Sequence, residues 1–155
     1  MTRVTFQEKY YPAVKETLYQ AKLENGLTVS LLPKNDFNEV YGVVTVYVGS
    51  VDTEFTASDS KKKTYPKGIA HFLEHKLFEK EEEDLFTAFA EENAQANAFT
   101  SFDRTSYLFS ATSNIESNIK RLLDMVETPY FTEETVNKEK GIIAEEIKMY
   151  QEQPG

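Results

Sequence analysis

Apolar residues fall in short, turn-bounded runs up to about residue 66, and at helical spacing from about residue 67. That change of period limits what this chain can become. In the first part, "LYQAKLENGLTVSLLPK" (18–34) places two strand-like runs on either side of Asn25-Gly26, a hairpin-turn dipeptide. "VYGVVTVYVGS" (40–50) is β-branched on both faces, which predicts a central strand. Residues 52–66 show no period and read as a loop, with Lys61-Lys62-Lys63 as a solvated tip. Two helices follow, over 67–78 and 83–93, the second with Leu85, Phe86, Phe89 and Ala90 turned inward. The acidic run 79–84 lies at the start of that second helix, where carboxylates are favourable against the helix dipole.

The segments "ANAFTS" (96–101) and "RTSYLFSAT" (104–112) read as strands joined near Phe102-Asp103. Ser113 and Glu116 form a capping box for an amphipathic helix bearing Ile115, Ile119, Leu122, Leu123 and Val126, which Pro129 ends. Thr132 opens a last helix running to about residue 152. The order βββ-αα-ββ-αα predicts an α+β domain, a mainly antiparallel sheet with helices packed on one face. Residues 1–17 are expected to form an N-terminal arm and 18–155 the domain itself.

Composition narrows the function. A net charge of -9 argues against nucleic acid as partner, because phosphate binding needs a basic footprint. With no cysteine, neither disulfides nor thiolate chemistry are available. No signal peptide and no membrane-length apolar run are evident, so a cytoplasmic protein with no membrane partner is the expectation.

The chain has two histidines, and both lie in "GIAHFLEHKLF" (68–78), four apart with Glu74 between them. Positions four apart on an α-helix lie roughly 40° apart on one face. His71 and His75 therefore share a side with Glu74 at its edge, while Ile69, Leu73 and Leu77 fall on the opposite side. Two imidazoles so spaced can converge on one tetrahedral zinc, and Glu74 can serve as a general base for an activated water. The bland alternative is a surface helix whose histidines face water.

A catalytic zinc wants a third protein ligand, and only a carboxylate remains to supply it. On the last helix the apolar face is read from Val136, Ile143, Ile147 and Tyr150. Glu139 and Glu146 lie about 40° and 60° from Ile143, whereas Glu145 points to the far side. Of the adjacent pair, Glu146 is the one able to face inward. Glu139 could back it up or orient a histidine.

"HFLEH", followed some seventy residues later by "GIIAEEI", resembles the inverzincin metallopeptidases of the insulinase/pitrilysin type, which include mitochondrial processing peptidase. "LENGLTVSLLP" resembles the opening hairpin of that family, and "ANAFTSFDRTSYLFSAT" its N-A-x-T-S-x-x-x-T-x-Y strand pair. The resemblance implies the mitochondrial-processing-peptidase-like fold, first half only. It implies one zinc per chain held by His71, His75 and Glu146, with Glu74 as catalytic base and Glu139 as a supporting glutamate. It also implies that a peptide substrate binds as an added strand along Asn97, Ala98, Phe99 and Thr100.

Relatives often carry Gly-Gly where this chain has "NAQA" (93–96). They usually comprise two homologous halves, so a C-terminal half or a homologous subunit is expected as partner, and the piece alone is expected to be inactive. Two rivals stand beside the peptidase reading: a non-catalytic peptide-binding or assembly subunit on the same fold, and a structural zinc domain. The structural domain would want four ligands where three are found. Manganese or cobalt could occupy the same donors.

Overall fold

The computed structural model describes residues 4–56 and 61–152. Its chain divides into two compact units, residues 1–38 and 39–155. In the first unit, β1 (Gln7–Tyr11), β2 (Glu16–Lys22) and β3 (Thr28–Leu31) form an antiparallel sheet in the order β1-β2-β3. The β2–β3 turn forms where Asn25-Gly26 predicts it. Gly26 adopts φ 90°, a left-handed conformation that costs glycine little, and its N–H donates to the Leu23 carbonyl at 2.9 Å. Oδ1 of Asn25 accepts from the Leu27 N–H at 3.0 Å, closing the turn from its other side. The expected arm of residues 1–17 contains β1, paired along its whole length with β2.

The second unit is built on β4 (Val40–Val46), β7 (Ala94–Thr100) and β8 (Thr105–Ala111), antiparallel in the order β4-β8-β7. Here the expectation for β4 fails: β8 is central and β4 an outer strand, with Val40, Val43 and Val46 exposed. Residues 52–66 are also more ordered than a loop, since β5 (Glu54–Thr56) pairs with β6 (Lys62–Thr64). Lys62 there forms an ion pair with Glu54 at 2.5 Å. Residues 57–60 and 153–155 lie outside the described residues.

Helices α1 (Ile69–Phe78), α2 (Leu85–Glu91) and α3 (Ile115–Glu127) cover one face of this sheet. Phe89 of α2 and Phe109 of β8 are fully buried and stack at 6.0 Å, with Phe78, Tyr107, Leu122 and Met125 around them. The inward set of α2 is Leu85, Ala88 and Phe89; Phe86 and Ala90, expected inside, are exposed, and Phe86 stacks on Phe78 at 4.0 Å. The buried stripe of α3 likewise runs through Asn118, Leu122 and Met125, leaving Ile119 and Leu123 exposed.

Capping differs from expectation too. Asn114, at φ 52°, precedes α3 with no side-chain cap, whereas Asp84 does cap α2 by accepting from the Phe86 N–H at 3.0 Å. The last helix, α4 (Glu133–Glu152), begins after Thr132, whose Oγ1 accepts from the Thr135 N–H at 3.1 Å. Its packing partner among the described residues is principally α1. Ile147 and Tyr150, read as part of its buried face, are exposed, and the one buried residue of α4 is Glu139. Among the described residues, no helix is long and apolar enough to cross a membrane.

Candidate metal centre

Helix α1 carries its histidines on the side away from Leu77, which packs on the core, and α4 runs past that side. Nε2 of His71 and Nε2 of His75 lie 3.1 Å apart. Oε2 of Glu146 approaches them at 3.8 Å and 3.7 Å. These three form the one group of potential ligands that converges within 4.8 Å among the described residues. A tetrahedral zinc with bonds of about 2.0–2.1 Å sets its ligand atoms roughly 3.3–3.4 Å apart. The triangle brackets that spacing, and its two nitrogens and one oxygen are donors that zinc accepts. Glu145, the neighbour of Glu146, pairs instead with Lys148 at 2.6 Å on the exposed side.

A second contact fixes one ring. Nδ1 of His75 lies 2.8 Å from Oε1 of Glu139. Donation of Nδ1–H to that carboxylate leaves the Nε2 lone pair facing His71 and Glu146, the arrangement that a metal-ligating imidazole requires. Glu139 is held in place by burial: its side chain is only 10% exposed. Two carboxylates, Glu139 and Glu146, thus meet two imidazoles in a half-buried setting. Such an excess of negative charge favours a bound cation.

Glu74 stands beside the triangle and is not a corner of it. Its Oε2 accepts a hydrogen bond from Oγ1 of Thr100, at the end of β7. Tyr107, buried on β8 opposite Ala98, faces the same carboxylate. Its hydroxyl is held above the usual tyrosine range, by burial first and by the charge of Glu74 second.

The strand segment expected to meet substrate is split by the sheet's alternation. Asn97 and Phe99 are exposed, whereas Ala98 and Thr100 turn towards the helices. Asn97 Oδ1 accepts from the Ala98 N–H at 2.8 Å. As an outer strand, β7 has one edge unpaired among the described residues. A cleft of about 530 Å³ opens beside it, lined in part by Glu74, His75, Asn97, Ala98 and Glu139.

Two further features escape a sequence reading, a contact of Thr100 and the burial of Lys76. Thr100 is recognisable as a partner of Glu74 only once β7 is in register. Lys76, next to His75, is wholly buried, although lysine is ordinarily among the most exposed residues. Its ammonium pairs with Glu79 at 2.5 Å and lies 6.0 Å from the centre of the Phe131 ring.

Comparison with known proteins places this chain in a family. Residues 56–155 match the family model described as Insulinase (Peptidase family M16). The uncharacterized zinc protease YmfH of Bacillus subtilis (strain 168) is 54% identical over 145 residues, which is 93% of this chain and 34% of that protein. An M16-like peptidase from Alicyclobacillus acidocaldarius superposes with a TM-score of 0.79 at 40% identity, over 96% of this chain and 32% of that one. Pitrilysin shares the fold, with a TM-score of 0.72 at 18% identity over 96% of this chain and 16% of its own. The chain thus spans about a third of the length of the curated relative, at 34%. It belongs to the insulinase family of peptidases, family M16.

Proposed function

We propose that this chain is the N-terminal, metal-bearing domain, from residue 18 onward, of a zinc-dependent endopeptidase. The observation that carries the reading is the convergence of His71, His75 and Glu146 within 4.8 Å, with Glu74 beside them and outside the ligand set. The zinc proteases among its relatives lend the metal its identity.

In this reading His71, His75 and Glu146 hold one zinc, and Glu139 fixes the tautomer of His75. A zinc ion bound there supplies Lewis acidity towards water and a peptide carbonyl. Glu74 accepts the proton of the attacking water on a carboxylate oxygen, then delivers it to the nitrogen of the departing amine. The substrate lies extended along the free edge of β7 at Asn97–Thr100, main chain to main chain, with side chains entering the cleft beside Glu74 and His75. Turnover requires a further homologous half or subunit, a reading supported by the chain's spanning 34% of its relative.

The test is Glu74→Gln in the complete peptidase. Peptide hydrolysis is expected to vanish while one zinc per chain is retained by metal analysis. Undiminished hydrolysis would remove Glu74 from its role; loss of the zinc would make it a ligand instead.

A further inference from the structure

The end of β7 is held by contacts that do not involve Glu74. Thr100 pairs with Thr105 across the hairpin, and Thr105 Oγ1 donates to the Val48 carbonyl at 2.9 Å. The Ser101 N–H donates to the Arg104 carbonyl at 2.8 Å and closes the turn, while the Ser50 N–H donates to the Ser101 carbonyl at 2.9 Å. Gly49 presses on the same turn so closely that a Cβ there would lie 2.4 Å from the Phe102 carbonyl. The backbone of Thr100 is therefore anchored on both flanks before its side chain does anything.

From that anchored position its hydroxyl donates to Oε2 of Glu74. Among the described residues no other side chain donates to this carboxylate. Glutamate has three side-chain torsions, and each must be ordered before the group can act as a base at a defined point.

We propose that Thr100 is a positioning residue for Glu74: its hydroxyl occupies one carboxylate oxygen and aims the other at the reacting water. This rests on Glu74 being the general base. It also gives Thr100 a task distinct from lining the substrate strand. Serine would keep the donor, whereas valine would keep the shape and lose it.

The test compares Thr100→Val, Thr100→Ala and Thr100→Ser with Glu74→Gln and wild type in the complete peptidase. It reads kcat, KM and bound zinc. In the metal-free protein with 13C-labelled glutamate, it also reads the Glu74 side-chain couplings. Loss of the hydroxyl is expected to lower kcat by roughly 10–100-fold with KM nearly unchanged and zinc retained. It should also average the Glu74 couplings among rotamers. Thr100→Ser is expected to recover most of the rate and to restore fixed couplings. If Glu74→Gln is inactive while both hydroxyl-free variants keep wild-type kcat, the positioning role is overturned and the base assignment stands. A rise in KM alone also overturns it, in favour of substrate contact. Hydrolysis by Glu74→Gln overturns the catalytic reading itself, and unaveraged couplings in Thr100→Val overturn the ordering of Glu74 by Thr100.

Discussion

Oε1 of Glu139 lies 2.8 Å from Nδ1 of His75, and Glu139 is the one residue of α4 that is buried. A helix this long therefore spends its interior position on orienting a histidine of its neighbour. Removing such an outer partner commonly weakens metal binding by about 10–100-fold. Glu139→Ala is expected to do so, Glu139→Gln less, since its amide oxygen can still accept Nδ1–H. Glu146→Gln, which removes a donor from the triangle, is expected to cost more than either. Chelator competition gives all three affinities, and a wild-type value for Glu139→Ala would show that His75 needs no such support.

Lys76 sets up a test of a buried ion pair. Its side chain is fully enclosed, while its partner Glu79 is 27% exposed. Lys76→Met preserves volume and removes the desolvated charge, so stability is expected within about 1 kcal/mol of wild type, or above it. Glu79→Ala strands the ammonium and is expected to cost about 1–3 kcal/mol, discounted for the exposure of Glu79. Urea unfolding of both variants decides it; a larger loss for Lys76→Met than for Glu79→Ala would reverse the argument.

Tyr107 predicts behaviour at alkaline pH. Burial and the charge of Glu74 raise its folded-state pKa above the ordinary 10.0. Its contribution to stability is therefore complete below about pH 10, where the tyrosine of the unfolded chain is also protonated. Above that pH the unfolded chain releases the proton first and stability falls. Tyr107→Phe is expected to lose less stability than wild type between about pH 10 and 11.5. Parallel stability curves for the two proteins would refute the assignment.

Gly49 is constrained by contact with main chain, which cannot rotate away. A methyl there would meet the Phe102 carbonyl carbon and oxygen at 2.4 Å. Gly49→Ala is expected to destabilise by about 1–3 kcal/mol, as overpacking does. It should also speed amide exchange at Ser101, the residue after Thr100. Unchanged thermal unfolding would mean that the β7–β8 turn yields at little cost.

Helical arithmetic made the neighbourhood of the candidate site legible. Residues four apart must share a face, which brings His71 and His75 together, and the same geometry prefers Glu146 to Glu145. The Asn25-Gly26 turn was legible because its backbone conformation has few alternatives. Strand order was not. The β-branched composition of 40–46 reports strand preference without naming neighbours, and β8, not β4, takes the centre. Burial on α4 failed for a related reason: apolar periodicity marks Ile147 and Tyr150 as a face without saying what covers it. The enclosure of Lys76 could not be read either, because it depends on Glu79 and Phe131 meeting it in three dimensions.

The packing of α4 on α1 has a consequence for assembly. Where two helices usually adhere through interlocking apolar side chains, this pair presents carboxylates of α4 to imidazoles of α1. Without a cation, Glu139 and Glu146 leave their negative charge uncompensated on the α4 side of that seam; with one, the same charges pull it shut. A bound metal would then act as mortar between the two helices, and stripping it would loosen the last helix from its neighbour.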